Sequence, residues 1–103
     1  QYLKQFKFIV EVANKERAIS RYNHLQAIGV HQSKIETRDS VSFNIYFQIA
    51  ASINDTARII DSLRRNYTPA GKQAFVVEII NVKKREKPEV SPIFEVPGGF
   101  EPP

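Results

Sequence analysis

Two stretches decide the predicted fold: Val10–Ala18, which reads VEVANKERA, and Phe47–Ala57, which reads FQIAASINDTA. In each stretch an apolar, β-rich segment passes through a small residue into a polar capping turn, and an alanine then opens a helical pattern. Each stretch is therefore the junction of one strand with one helix. The same βα unit occurs twice in the chain.

A further strand is predicted after each of these two helices, so the order of elements becomes β-α-β-β-α-β. This order is typical of a ferredoxin-like α+β sandwich, in which two helices cover one face of a four-stranded antiparallel sheet. Strands one and three are the central pair in this topology. The second strand is expected over residues 32–37 and the fourth over residues 73–82.

The first and third strands are predicted because apolar residues recur in them with a period of two. The side chains expected on the core face are Phe6, Phe8, Val10 and Val12 in the first strand and Val41, Phe43, Ile45, Phe47 and Ile49 in the third. The side chains expected on the opposite face are Lys7, Ile9 and Glu11 beside Ser42, Asn44, Tyr46 and Gln48.

Capping residues place the helix ends. Asn14 is suited to cap the first helix because its side-chain oxygen can accept from a backbone amide, and Gly29 is suited to end that helix. Ser52, with Asp55 three residues later, resembles a capping box before the second helix, and Asn54 is the alternative cap.

Composition and charge narrow the classes of function. A chain of 103 residues that is 42% hydrophobic is long enough for one domain with one core. We expect that domain over residues 1–82, followed at 83–103 by a basic and then proline-rich tail or linker. The net charge of +4 is local, because the run Lys83–Lys87 carries most of it. The chain has no cysteine, so it has no disulfide framework and no thiolate metal site.

No catalytic signature is present in the sequence. It has no glycine-rich phosphate loop, no His-x-x-x-His pair and no nucleophile elbow. Glu11, Glu36 and Glu78 could meet across neighbouring strands, but carboxylates on a hydrated sheet face usually pair with lysine and arginine. We therefore expect no enzymatic activity, no metal and no cofactor.

RNA binding is a less favoured alternative for this topology. An RNA-binding sheet needs aromatic side chains on the exposed face of its central strands, where unstacked bases can stack. The phenylalanines fall on the predicted core face, which leaves Tyr46 alone outside, and Glu11 would repel a phosphate backbone.

The repeated unit, whose second copy begins in a strand carrying Tyr46 and Gln48, resembles the SPOR domain, the sporulation-related repeat. The resemblance covers residues 6–82. The family's motif is an apolar strand carrying Gln, then Gly and an aromatic residue, a loop, and an Ala that opens the helix. The matching positions are Val10, Glu11, Val12, Ala13 and Ala18 in the first copy and Phe47, Gln48, Ile49, Ala50 and Ala57 in the second. Here Ala13 and Ala50 replace the motif glycines.

This resemblance implies a non-enzymatic binding module of the bacterial cell envelope, located in the periplasm, that binds peptidoglycan glycan strands stripped of stem peptides. The expected ligand-binding residues are Glu11, Asn44, Tyr46 and Gln48 on the exposed sheet face. Planar side chains suit the ring faces of sugars, and amide or carboxylate groups suit their hydroxyl and N-acetyl groups.

Other readings of the same face stay open. Polar residues that alternate along a half-exposed strand are found on any open-faced sheet. A protein-interaction, scaffold or oligomerisation domain could use this face, an unpaired edge strand or the proline-rich tail. A cytoplasmic location also stays open, and the sequence does not predict the oligomeric state.

Overall fold

The computed structural model describes residues 2–80 of the chain. The strands are Lys4–Ala13 (β1), Lys34–Thr37 (β2), Phe43–Ala51 (β3) and Phe75–Glu78 (β4), and the helices are Lys15–Ala27 (α1) and Thr56–Tyr67 (α2). A short 3-10 turn, Ile53–Asp55, leads from β3 into α2. The elements follow one another in the predicted β-α-β-β-α-β order.

The four strands form one antiparallel sheet in the order β2-β3-β1-β4. Strands β1 and β3 are central, as predicted, and β2 and β4 are the edge strands among the described residues. This arrangement confirms the α+β class and agrees with a ferredoxin-like fold. Within residues 2–80, neither helix is long and apolar enough to cross a membrane.

The core lies between the helices and one face of the sheet. Its buried members are Phe6, Phe8, Val10 and Ala13 of β1, Ala18 and Leu25 of α1, and Ile45, Phe47 and Ala51 of β3. Helix α2 contributes the partly buried side chains Ile59, Ile60, Leu63 and Tyr67. Alternate side chains of a strand point to opposite faces of the sheet. The predicted inward position of Ile45 and Phe47 on β3 is confirmed, because both side chains are buried in this core.

The predicted ends of α1 are confirmed, whereas the predicted start of α2 is wrong. The Asn14 side chain accepts a hydrogen bond from the backbone amide of Arg17 at 2.9 Å, and Gly29 follows the helix with a φ of +93°. Ser52 makes no side-chain bond to a backbone amide and instead contacts Asp55. A 3-10 turn that contains Asn54 therefore replaces the predicted capping box, and Asp55, rather than Ser52 or Asn54, is the N-cap position of α2.

The predicted alternation of β1 is wrong beyond Ile9. Ile9 is opposite Tyr46 on β3, but Glu11 is opposite Ile45, so one extra residue is inserted at Val10. Such an insertion is a β-bulge, and it exchanges the two faces for every residue that follows it. Glu11 consequently lies on the helix side of the sheet, and Val12 lies on the opposite side.

Strands β2 and β4 are shorter than predicted, and β3 is displaced toward the C-terminus, since it runs over Phe43–Ala51 rather than from Val41 to Ile49. The Asp39 side chain accepts hydrogen bonds from the backbone amides of Val41 and Ser42, both at 2.9 Å, which holds these two residues in a turn before β3. Strand β2 begins at Lys34, and β4 covers only Phe75–Glu78. The end of the predicted fourth strand at 81–82 and the predicted tail at 83–103, including Lys83–Lys87, lie outside the described residues.

Candidate ligand-binding face

The sheet face opposite the helices, called the outer face below, carries side chains from all four strands. Its members include Glu36 of β2, Asn44, Tyr46 and Gln48 of β3, Lys7, Ile9 and Val12 of β1, and Phe75 and Val77 of β4. Three of the four predicted ligand-binding residues, Asn44, Tyr46 and Gln48, lie on this face.

Glu11, the fourth predicted residue, does not lie on the outer face. Its side chain is fully buried on the helix side, where the Nε atoms of Arg17 and Arg21 approach the carboxylate at 2.6 and 3.5 Å. The bulge at Val10 is the cause, because it turns Glu11 to the opposite side of the sheet. The predicted placement of Glu11 is therefore wrong, and Glu11 makes no contact with a ligand on the outer face.

An apolar row crosses the centre of the outer face. Ile9 of β1 is opposite Tyr46 on one side and Phe75 on the other, and it is only 3% exposed. Phe75, at the edge of the row, keeps 42% of its surface exposed. The row thus provides an exposed aromatic ring that is supported by a buried neighbour.

A polar network lies beside this row. Lys7 Nζ donates to Glu36 Oε1 at 2.6 Å, and Asn44 Nδ2 donates to Glu36 Oε2 at 3.1 Å. The Lys7 ammonium also lies over the ring of Tyr46, 5.1 Å from its centroid, in cation–π geometry. These contacts hold Lys7, Asn44 and Glu36 in place, so their orientation is largely set before a ligand arrives.

The charge state of Glu36 follows from this network. Partial burial by itself would raise the pKa of Glu36, but hydrogen bonds from Lys7 and Asn44, together with the charges of Lys7 and Arg38, outweigh that effect. The pKa of Glu36 is therefore held below its ordinary value. At neutral pH Glu36 is a carboxylate that neutralises Lys7.

A shallow depression of about 300 Å³ opens on the outer face between the apolar row and the polar network. It is lined by Lys7, Ile9, Glu36, Arg38, Asn44, Phe75 and Val77. The depression joins an exposed aromatic ring to hydrogen-bonding groups of both polarities. An amphipathic ligand is the kind of molecule that such a lining suits.

We expect the Glu36→Gln variant to be less stable than the parent protein only where Glu36 is ionised. A carboxyl whose pKa is lowered by folding stabilises the protein above its unfolded-state pKa, and this contribution is lost as the pH falls through its folded-state pKa. The difference in unfolding free energy between the two proteins should therefore be constant near neutral pH and shrink in acid. Denaturant titrations at a series of pH values measure it.

Two other carboxyls do not interfere with this comparison. Backbone hydrogen bonds from Ser42 and Val41 lower the pKa of Asp39, and the Arg64 side chain lowers that of Asp61. Both residues are present in the parent and in the variant, so their effects cancel in the difference. A stability difference that stays the same from neutral to acidic pH would contradict the predicted role of the Glu36 network.

The three carboxylates that could have met across the sheet lie apart. Glu11 pairs with arginines on the helix side, Glu36 pairs with Lys7 on the outer face, and Glu78 pairs with Lys4 at the edge. Within residues 2–80, no group of three histidine, aspartate or glutamate side chains is arranged to hold a metal ion.

Phe75 and Glu36 are members of the outer face that sequence reasoning did not select, and the prediction that Tyr46 is the one aromatic side chain on this face is wrong because Phe75 also lies there. The run FVV at 75–77 is continuously apolar, so its pattern does not show which side chains face outward. Pairing with β1 decides this, because it places Phe75 opposite Ile9 and Val77 opposite Lys7. The sequence did carry a signal for Glu36, because polar and apolar residues alternate along 34–37 and Glu36 falls on the polar side.

Comparisons of the chain with protein-family models, with curated proteins and with solved structures found no match. Family membership is therefore not assigned, and the resemblance to the SPOR domain stays a prediction. The function proposed below therefore rests on the geometry of the outer face.

Proposed function

We propose that this domain is a non-enzymatic binding module that binds the glycan strands of bacterial peptidoglycan on its outer face. One observation supports this proposal above the others: a single depression joins the exposed ring of Phe75 to the polar groups of Asn44, Glu36 and Lys7. The C–H face of a sugar packs against an aromatic ring, while its hydroxyl and N-acetyl groups exchange hydrogen bonds with amides and charged groups.

The shape of the face also suits an extended polymer. Neighbouring strands lie about 4.8 Å apart, so the row from Tyr46 through Ile9 to Phe75 spans about 10 Å. More than one sugar ring can contact a row of this length. Gln48, exposed on the same face next to Lys7, extends the set of hydrogen-bonding groups along β3.

The ion pair of Lys7 with Glu36, rather than the overall charge of the face, is the argument against a nucleic acid, since Arg38 also lines the depression and adds a cation to it. Lys7 is neutralised by Glu36 at 2.6 Å, and a phosphate backbone would have to compete with that carboxylate for the ammonium group. The carboxylate that opposes a phosphate backbone on this face is therefore that of Glu36, whereas the sequence had predicted that of Glu11. The proposal places the domain in the periplasm or cell envelope, where peptidoglycan is found.

Protein binding is the second candidate, and the exposed edge of the sheet favours it. Within the described part of the chain, β4 pairs on one side only, with β1. Its outward side chains Phe75 and Val77 are 42% and 43% exposed. An unpaired edge beside exposed apolar side chains can accept a strand from a partner or from a second copy of the chain. A scaffold or oligomerisation role would follow from such pairing.

The test is retention of the full chain on purified peptidoglycan sacculi, with and without prior amidase treatment. We expect retention on the amidase-treated sacculi, with little change between low and moderate salt because the ligand is a neutral sugar chain. Phe75→Ala should weaken binding roughly thirtyfold, since an aromatic anchor in an interface is worth about 2 kcal/mol. Tyr46→Ala should weaken it as well.

Matched variants separate this result from non-specific effects. Ile53→Ala removes an apolar side chain that is 58% exposed in the turn before α2, away from the outer face, and should bind like the parent. Neutralising Lys83–Lys87 should also leave retention unchanged. Equal retention on treated and untreated sacculi, or loss only in the Lys83–Lys87 variant, would contradict the proposal. A concentration-dependent mass in light scattering that Phe75→Ala abolishes would support self-association instead.

A further inference from the structure

A second polar cluster lies on the helix side of the sheet, where the β1 bulge meets α1. The buried carboxylate of Glu11 holds the Nε atom of Arg17 at 2.6 Å and approaches the Nε atom of Arg21 at 3.5 Å. Arg21 also donates through Nη2 to the backbone carbonyl of Tyr67, at 3.1 Å, at the end of α2. Two guanidinium groups share one carboxylate, so the cluster keeps a net positive charge.

The cluster borders a surface depression of about 500 Å³ on α1. The described residues that line it are Arg17, Ser20, Arg21 and His24, which are spaced by three and four residues and so share one face of the helix. Each of these side chains can donate a hydrogen bond. Among residues 2–80, no acidic side chain lines the depression, since Glu11 lies beneath it and is fully buried.

The hydrogen bonds of this cluster are incomplete within residues 2–80. Glu11 Oε1 and Arg21 Nε are both buried and lack a hydrogen-bond partner among these residues, although they approach each other at 3.5 Å. Arg17 donates to Glu11 through Nε, and its terminal nitrogens make no hydrogen bond to a described residue. Glu11 thus orients the guanidinium of Arg17 through one edge and leaves the other edge free to bind.

We propose that this depression binds a phosphate group carried by a larger molecule, that is, a phosphate monoester. A tetrahedral phosphate has several acceptor oxygens, which suits the two guanidinium groups, the hydroxyl and the imidazole that line this depression; a carboxylate has only two oxygens. The depression is larger than a phosphate ion, so it has room for the group to which the phosphate is attached. A β-bulge that turns an acidic residue under two arginines also fits a binding role, because bulges are frequent beside functional sites.

The test is an NMR titration of the full chain with inorganic phosphate and with glycerol phosphate, followed through the arginine Nε–H and backbone amide signals. We expect saturable shifts at Arg17, Ser20, Arg21 and His24, with tighter binding of glycerol phosphate than of inorganic phosphate. Arg17→Gln should weaken binding about tenfold or more, because it removes charge-assisted hydrogen bonds, and Arg17→Lys should restore part of the loss.

Two further variants keep the proposal falsifiable. Ser20→Ala leaves the Glu11 ion pairs intact and should weaken binding about fivefold through the loss of one hydrogen bond. Arg58→Gln removes the same charge from an exposed site on α2, where the side chain is 73% exposed, and should bind like the parent. Equal weakening in Arg58→Gln and Arg17→Gln, or shifts that do not saturate, would overturn the proposal.

A third titration distinguishes the source of the phosphate. Phosphatidylcholine vesicles containing phosphatidic acid present the same monoester on a lipid surface, and vesicles of phosphatidylcholine alone are the control. Binding of glycerol phosphate without binding of these vesicles identifies a soluble phosphate ester, and tighter binding of the vesicles identifies a lipid headgroup. Absence of binding in every titration would overturn the phosphate site but would leave the outer face, on the opposite side of the sheet, unaffected.

Discussion

Replacing Arg17 and Arg21 together with glutamine should lower the free energy of unfolding by about 3–5 kcal/mol, the typical loss when a buried charge is left without its partner. The carboxylate of Glu11 is fully buried, and these two arginines are the cations that approach it among the described residues. Without them the carboxylate would stay desolvated and uncompensated. Urea titration of the parent and the double variant at neutral pH measures the loss.

Two comparisons show whether the buried carboxylate is the cause. Adding Glu11→Gln to the double variant should recover part of the lost stability, because a neutral amide is less costly to bury than an unpaired charge. Replacing Arg64 and Arg65 with glutamine removes the same formal charge from an exposed pair with Asp61 and should have a far smaller effect. A triple variant that is no more stable than the double variant would argue against the interpretation.

The Phe47→Ala variant should lose about 3–5 kcal/mol of unfolding free energy, the usual range for emptying an aromatic site in a core. Phe47 is 5% exposed on the helix side of β3, and its ring centroid lies 5.2 Å from that of Tyr67 on α2. The truncation would therefore remove contacts that join the central strand to a helix. Denaturant titration monitored by circular dichroism measures the change.

Tyr46, the next residue on the same strand, is the matched control. It points to the outer face and is only partly buried, so Tyr46→Ala should lose far less stability than Phe47→Ala. Equal losses would mean that β3 is covered on both faces. The outer face would then be closed to a ligand, and the proposed glycan site would fail together with the prediction.

Local patterns were sufficient to predict the elements and their order. The alternation in β3 identified Ile45 and Phe47 as core residues, and Asn14 and Gly29 marked the ends of α1. These signals depend on side-chain direction and on backbone hydrogen bonds within a few residues of each other. The β-α-β-β-α-β order then restricts the sheet to a few topologies, and the ferredoxin-like one was the right choice.

The composition of the candidate site depended on pairing between distant segments. Glu11 alternates with Val10 and Val12 in the sequence as an outward residue would, and nothing in the segment marks a bulge. The bulge is seen only in the pairing of β1 with β3, where Ile9 is opposite Tyr46 but Glu11 is opposite Ile45, and Arg17 and Arg21 of α1 compensate the charge of the buried carboxylate. These contacts form only once β1 has paired with β3 and α1 has packed against the sheet.

The sequence by itself therefore determined the α+β class, the strand order and the outward position of Asn44, Tyr46 and Gln48. Only the tertiary structure decided that Glu11 is buried and that Phe75 joins the outer face. The physical reason is that the side-chain period of a strand is two, so a single inserted residue exchanges the faces, and a continuously apolar edge strand has no face until its register with β1 is set.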